Sequence, residues 1–302
     1  MAVKVLVTGV AGQLARSLAE CSSKWRDVEL IRVGRPEFDL EKPNSIKRTV
    51  VQISPDVVVS AAAYTAVDKA EDEPELAAKI NGEGPGILAR AAKGIGARLI
   101  HVSTDYVFDG MKSEPYVETD RVNPQSVYGR TKLEGEERVR AEHPYHIILR
   151  TAWVYSPFGQ NFVRKMLHLA ETRNRLSVVN DQFGNPTSAL DLSDAIFTVI
   201  QRWRQLPSTG IGETYHCAGS GDTNWYELAR HIMSVSYSAG GPCAEISPIR
   251  SQEWPGKAAR PANSRLDCSR FPADFGWRLA DWQVSVRHSV LRLIRQLERP
   301  VI

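Results

Sequence analysis

The opening of the chain limits its fold more than any other stretch. Val3-Lys4-Val5-Leu6-Val7 is a short apolar run rich in β-branched residues, and Thr8-Gly9-Val10-Ala11-Gly12-Gln13-Leu14-Ala15 comes directly after it. From Leu14 through Leu18 and Ala19 the apolar spacing becomes helical. A strand, a glycine turn and a helix in direct succession form the context of a dinucleotide fingerprint. Gly9 and Gly12 let the backbone turn tightly and approach a pyrophosphate at the helix N-terminus, where free N–H groups and the dipole favour an anion. Ala15 stands where a third glycine is usual, as close helix–strand packing tolerates. An ordinary strand–helix turn is the other reading of these residues.

Strands and helices continue to alternate beyond this turn. A second strand is expected over Val28 to Val33, and an acidic residue at its end would grip a ribose 2′-hydroxyl. Val33-Gly34-Arg35 stands there instead. Arg35 is either a partner for a 2′-phosphate, which tilts the reading toward NADPH over NADH, or a solvated surface arginine. Asp39 and Leu40 fall near the adenine end. Val57-Val58-Val59 is apolar at consecutive positions, as a strand buried on both faces should be, and Ala61, Ala62 and Ala63 are small enough for a cofactor to lie against them. Pro74 can open a helix to about Lys93, but Gly82, Gly84, Pro85 and Gly86, just after Asn81, predict a kink or interruption. Arg98 to Val102 reads as a strand delivering Ser103 and Thr104, and His146 to Leu149 as another, ending at Arg150-Thr151-Ala152-Trp153. Six or so strands alternating with helices imply an α/β fold, a Rossmann-type doubly wound parallel sheet. Ligands in such sheets bind beyond the carboxyl ends of the strands.

Past Trp153 the regularity drops. Helical patterns cover Asn161 to Ala170, Leu190 to Trp203, Asn224 to Ser234 and Trp282 to Leu297, with a short strand at Leu176 to Val179. Asn180 to Thr187 and Arg260 to Leu266 read as loops, and Ser238 to Pro242 as a flexible joint. The expected division is a dinucleotide-binding domain over 1–152, rejoined around 172–202, and a smaller C-terminal α/β substrate-binding lobe over most of 153–302.

Chemistry concentrates between Ser103 and Lys132. Tyr128 and Lys132 lie four apart, on one face of a helix expected over Val127 to Glu142. A tyrosine is a weak acid at neutral pH, and a nearby ammonium favours its phenolate and lowers its pKa. Thr104, at the end of a strand, is placed to hold a carbonyl oxygen while Tyr128 protonates it. A Tyr-x-x-x-Lys pair alone recurs by chance; a preceding nucleotide site gives it weight.

Composition removes other classes. The chain of 302 residues is 42% hydrophobic, with a formal net charge of +3 and no polybasic block. Nucleic acid and membrane surfaces therefore have no support as partners. No apolar run is long enough to span a bilayer, and the N-terminus lacks the plan of a signal peptide. Cys21, Cys217, Cys243 and Cys268 are far apart and form no C-x-x-C, so they read as reduced thiols and no metal site is expected. A soluble cytoplasmic protein is the expectation.

Together these parts resemble the extended short-chain dehydrogenase/reductase family. Within it the chain is similar to the dTDP-4-dehydrorhamnose reductases, through Ala61 to Glu71, Ser103 to Gly110, Val127 to Glu134, Arg150 to Tyr155, Asn180 to Thr187, Arg260 to Leu266 and Asp281 to Val284. That resemblance implies NADPH-dependent reduction of the 4-keto group of a dTDP-4-dehydro-6-deoxy-L-sugar to dTDP-L-rhamnose. Thr104, Tyr128 and Lys132 match the catalytic residues. Gly9, Gly12, Gln13, Leu14, Arg35, Asp39, Leu40, Ala61, Ala62 and Ala63 join Tyr128 and Lys132 around the cofactor. Thr65, Asp105, Trp153, Asn161 and Arg260 are the substrate candidates, with Arg260 for the diphosphate and the Asp181 to Thr187 loop framing the nucleotide. The chain departs from the family at Ser60, where asparagine is common. It also lacks, around Leu14 to Ser17, the glutamate with which some members hold Mg²⁺ between subunits, so a monomer or weak homodimer is expected. A related dTDP-4-keto-6-deoxysugar reductase, and a regulatory subunit like the methionine adenosyltransferase β-subunit, share the pattern.

Overall fold

The computed structural model describes residues 2–297. Its centre is a six-stranded sheet built from Val3–Thr8 (β1), Val28–Val33 (β2), Val57–Ser60 (β3), Arg98–Thr104 (β4), His146–Thr151 (β5) and Glu213–His216. They lie in the order β2, β1, β3, β4, β5, Glu213–His216, and every neighbouring pair is parallel. All of β3 and β5 is buried, because helices cover both faces of the sheet.

Side chains alternate between those faces. Val5 and Val7 pack with Leu14 and Leu18 of the Gln13–Cys21 helix (α1) and with Ile196 and Val199 of the Ala189–Gln205 helix. Leu6 and Val58 point the other way, to Ile46, Leu88 and Val139. The chain passes from β1 to β2 on one side and returns to β3 on the other, so a crevice opens between the carboxyl ends of β1 and β3. The Thr8 hydroxyl bridges it by accepting the N–H groups of Ala61 at 3.0 Å and Ala62 at 2.9 Å.

The break expected near Gly82 takes another form. Pro74–Ala78 is helical, Lys79–Glu83 is a π turn, and Gly84–Gly94 continues as α-helix. A Cβ on Gly82 would lie 2.7 Å from Glu134, one on Gly86 2.9 Å from Arg138, and one on Gly135 2.2 Å from the Asn81 carbonyl oxygen. These glycines serve close packing against the Val127–Glu142 helix rather than chain breaking. Ser238 to Pro242 is likewise no loose joint. The preceding helix runs Trp225–Ser238, a Cβ on Gly241 would meet Ile294 at 2.8 Å, and the Ser236 hydroxyl donates to the Pro242 carbonyl at 2.6 Å.

A second core gathers Val163, Leu167, Leu228, Ile232, Val286 and Val290. Beside it Arg175–Val179 pairs in parallel with Glu245–Ile249, outside the main sheet. Of the 172–202 stretch, the strand thus joins this second sheet while the helix beginning at Ala189 lies against α1. The last helix is described as Trp282–Leu297; the 298–302 end of the expected lobe lies outside the described residues. Among those residues no helix is long and apolar enough to cross a membrane.

Candidate active site

A cleft of about 890 Å³ runs along the carboxyl ends of β1, β3, β4 and β5. At one end it is made of backbone. Gly9 has φ +97°, a left-handed conformation that a side chain would strain. Gly12 is the extended N-cap of α1, has no side-chain cap, and a Cβ on it would meet nothing within 4 Å. The first turn of α1 therefore offers its N–H groups to the cleft, beside Ala61, Ala62 and Ala63. This open turn fits a dinucleotide diphosphate. Gln13 and Leu14 line it, and Arg35, Phe38, Asp39 and Leu40 line the far wall below β2. Asp39 is buried and accepts the Glu41 N–H at 3.1 Å.

The chemistry lies where β4 meets the Val127–Glu142 helix. Ser126 caps that helix by accepting the Gly129 N–H at 3.1 Å, and Glu71 accepts the Val127 N–H at 2.8 Å. A Cβ on Gly129 would lie 2.3 Å from the Tyr106 carbonyl oxygen, so glycine there lets the first turn sit against the end of β4. Tyr128 is thereby held edge-on to Tyr106, ring centroids 5.5 Å apart, with the Thr104 hydroxyl near its own. Enclosure pushes the Tyr128 phenol up to about 12, against the influence of Thr104 and with the Asp105 carboxyl adding to the rise. The Lys132 ammonium donates to the Val102 carbonyl at 2.7 Å, and burial lowers it to about 8 while Glu136 opposes the fall. The expected lowering of Tyr128 by Lys132 thus does not govern here: the ammonium is engaged on β4, and enclosure dominates the phenol.

Asp105 is buried, its Oδ1 accepts the Thr104 hydroxyl at 3.0 Å, and its Oδ2 has no partner among the described residues. Burial pushes it up to about 6, with the nearby Ser264 and Thr104 hydroxyls opposing the rise. It lines the cleft together with Thr65, Trp153 and Asn161. Trp153 has φ +46°, rare for a bulky residue. It is fixed between Gly184, where a Cβ would come within 2.5 Å of its ring, and Trp225, stacked at 3.6 Å. The Asn161 amide donates to Gln13 Oε1 at 2.9 Å and to the Ser156 carbonyl at 2.8 Å, and its oxygen accepts the Arg164 N–H at 3.1 Å. Its side chain braces α1 against the loop that starts at Ser156.

Two expectations fall outside this cleft. Arg260 is not in its lining but stands behind Tyr106, paired with Asp68 at 2.6 Å. The Asp181 to Thr187 loop is also absent from the lining; Asp181 accepts the Ser251 hydroxyl, and Asn185 ties Gly221 to Leu266. Three contributors carry no clear mark in the sequence. Tyr106 and Trp225 line the cleft. Asn81, fully buried in the π turn, accepts the Tyr64 N–H at 2.8 Å and donates to its carbonyl at 3.0 Å and to Thr131 at 3.2 Å. Its place before a glycine cluster is the one signal that points to it. Among the described residues no group of three or more His, Cys, Asp or Glu could hold a metal ion.

A doubly wound parallel sheet with a hydroxyl–tyrosine–lysine cluster in its switch-point cleft defines a Rossmann-type reductase of the extended short-chain class. Residues 3–295 match the model of the RmlD substrate binding domain, and the chain belongs to that family. It is 47% identical to the dTDP-4-dehydrorhamnose reductase of Sinorhizobium fredii, over 97% of this chain and 98% of that protein. Among solved structures it resembles a dTDP-4-dehydrorhamnose reductase from Clostridium acetobutylicum, with TM-score 0.88 and 38% identity over 96% of this chain and 99% of that one. A Bacillus anthracis dTDP-4-dehydrorhamnose reductase in complex with NADP has TM-score 0.89 and 32% identity, over 97% of this chain and 100% of that one.

Proposed function

We propose that this chain reduces the C4 ketone of dTDP-4-dehydro-L-rhamnose to dTDP-L-rhamnose with NADPH. The observation that carries the reading is the convergence of Thr104, Tyr128 and Lys132 in the cleft that begins at Gly9 and Gly12. Bound there, the dinucleotide supplies a hydride; Gly9, Gly12, Gln13 and Leu14 hold its diphosphate end, and Arg35, Asp39 and Leu40 its adenosine end. Tyr128 gives its phenolic proton to the ketone oxygen, which Thr104 steadies. Lys132 keeps a positive charge beneath the reacting groups, so the phenolate that forms is better tolerated. Asp105, Thr65 and Trp153 orient the sugar ring, and Arg260 meets the substrate diphosphate. The division near residue 152, a cytoplasmic location and a monomeric or weakly dimeric state complete the proposal.

The test is NADPH oxidation with the dTDP-keto-sugar generated in situ. Turnover is expected, and the free keto-sugar should be far poorer in kcat as well as KM, because binding the remote nucleotide positions the ketone. Failure to oxidise NADPH with any dTDP-4-keto sugar would overturn the reading.

A further inference from the structure

Arg260 stands on a loop that is remote in sequence from the cleft and is tied to the segment beside it. Asp68 binds that loop with both carboxylate oxygens: Oδ1 accepts the Ala258 N–H at 3.0 Å and Oδ2 the Arg260 guanidinium at 2.6 Å. Asp68 lies on the short Val67–Ala70 helix, just after Thr65, and Thr65 and Val67 both line the cleft. The guanidinium is otherwise held by the Ala258 carbonyl at 3.4 Å, with Tyr106 beside it. Gly256 fits beneath it, since a Cβ there would lie 2.2 Å from Arg260 Nη1. A second contact, Lys257 to Asp72 at 2.7 Å, joins two side chains that are 63% and 57% exposed. Exposed pairs of that kind contribute little.

We infer that Asp68 is a positioning residue for the reductase reaction, fixing Arg260 behind Tyr106, beside the end of the cleft where the sugar nucleotide is proposed to bind. This rests on the reading of Arg260 as the diphosphate contact. A guanidinium has five N–H donors in a rigid fork, so a carboxylate gripping one edge leaves donors on the others for a phosphate. Without that grip, the long Arg260 side chain and the Gly256 loop must be ordered by the substrate itself, at a cost in binding. Asp68 acts through Arg260 and touches neither substrate nor cofactor.

The experiment uses the full chain and the dTDP-keto-sugar, with Asp68→Asn, Arg260→Ala, the double variant and Asp72→Asn. Asp68→Asn keeps the side-chain volume, and an unchanged melting temperature verifies folding. Its KM for the sugar nucleotide should rise about tenfold, in the range of one charge-assisted hydrogen bond, with the KM for NADPH unmoved. In the Arg260→Ala background the same change should add nothing, and Asp72→Asn should leave both KM values alone. An Asp68→Asn enzyme with wild-type KM beside an impaired Arg260→Ala enzyme would overturn the positioning role. A lowered KM in Asp68→Asn would also overturn it, by showing that the carboxylate competes with the diphosphate. If Arg260→Ala itself leaves the sugar-nucleotide KM unchanged, the reading of Arg260 falls first and the inference with it.

Discussion

The two ends of the cleft are built by opposite means. The dinucleotide end is backbone: Gly9 at positive φ, the uncapped N-terminus of α1, and a row of alanines after β3, all within one continuous fold unit. The sugar end is side chains brought from distant segments. Trp153 stacks on Trp225 and is wedged by Gly184, and just behind the lining Arg260 reaches Asp68 across 192 residues of sequence. A site made of backbone arises from a local pattern, whereas one made of converging side chains depends on the completed fold. The Val127–Glu142 helix joins the two, with Tyr128 and Lys132 facing the meeting point.

If the ends are separable, a change at the join should abolish chemistry and leave binding at both. Tyr128→Phe keeps the ring and its edge contact with Tyr106 but removes the proton donor. Its kcat should fall by at least about 10²-fold, within the range of general-acid catalysis. NADPH affinity, measured by fluorescence titration, should stay near wild type. A variant turning over at the wild-type rate would separate Tyr128 from the mechanism.

At the dinucleotide end Arg35 is the charged side chain expected to read the cofactor. Arg35→Ala should raise the KM for NADPH by roughly tenfold to a hundredfold, as for a charge-assisted contact of ~1.5–3 kcal/mol, and barely alter NADH. Equal effects on both cofactors would make Arg35 a surface residue and leave that end without a cationic side chain that reads the 2′-phosphate.

Acidity sharpens the contrast at the join. Burial lowers the Lys132 ammonium to about 8, so its charge is complete below that pH and lost as pH rises through it. The charged form is the one that favours the Tyr128 phenolate. Steady-state kcat should therefore decline above about pH 8, approaching about tenfold per unit. A flat profile through that region would show that the Lys132 charge does not enter the rate-limiting step. The smallest effect belongs to the sugar end. Trp225→Ala removes the stacking partner of Trp153, an aromatic contact worth about 0.5–1.5 kcal/mol, so the sugar-nucleotide KM should rise about two- to tenfold. The KM for NADPH should not move with it.

The same contrast governs how much the sequence discloses. Val57–Ser60 is legible because a strand buried in a covered parallel sheet is apolar at successive positions, and the edge strand Val28–Val33, which has no buried residue, is legible from its place after the first helix. Val127–Glu142 is legible from its Tyr-x-x-x-Lys face, whereas its Ser126 cap becomes plain only in the structure. Glu213–His216 escapes notice because the edge strand reads Glu-Thr-Tyr-His, with two buried residues and no apolar run. Gly82 and Gly86 mark the interruption that the π turn makes, but not their packing role, since a glycine that admits a neighbouring helix looks like one that breaks its own. Trp225 and Tyr106 acquire their places only when Trp153 and Tyr128 come to lie against them, which no local pattern records.

The central claim is that the two ends hold one ketone between a hydride source and Tyr128, with a single face presented. Reduction of the dTDP-keto-sugar with NADPH carrying deuterium at both C4 positions, then NMR of the product, tests it most directly. Deuterium is expected at C4 of the sugar, in the L-rhamno configuration. Deuterium at C4 with the 4-epimeric L-talo configuration would contradict the proposed orientation of the sugar, and no deuterium in the product would contradict the reduction itself.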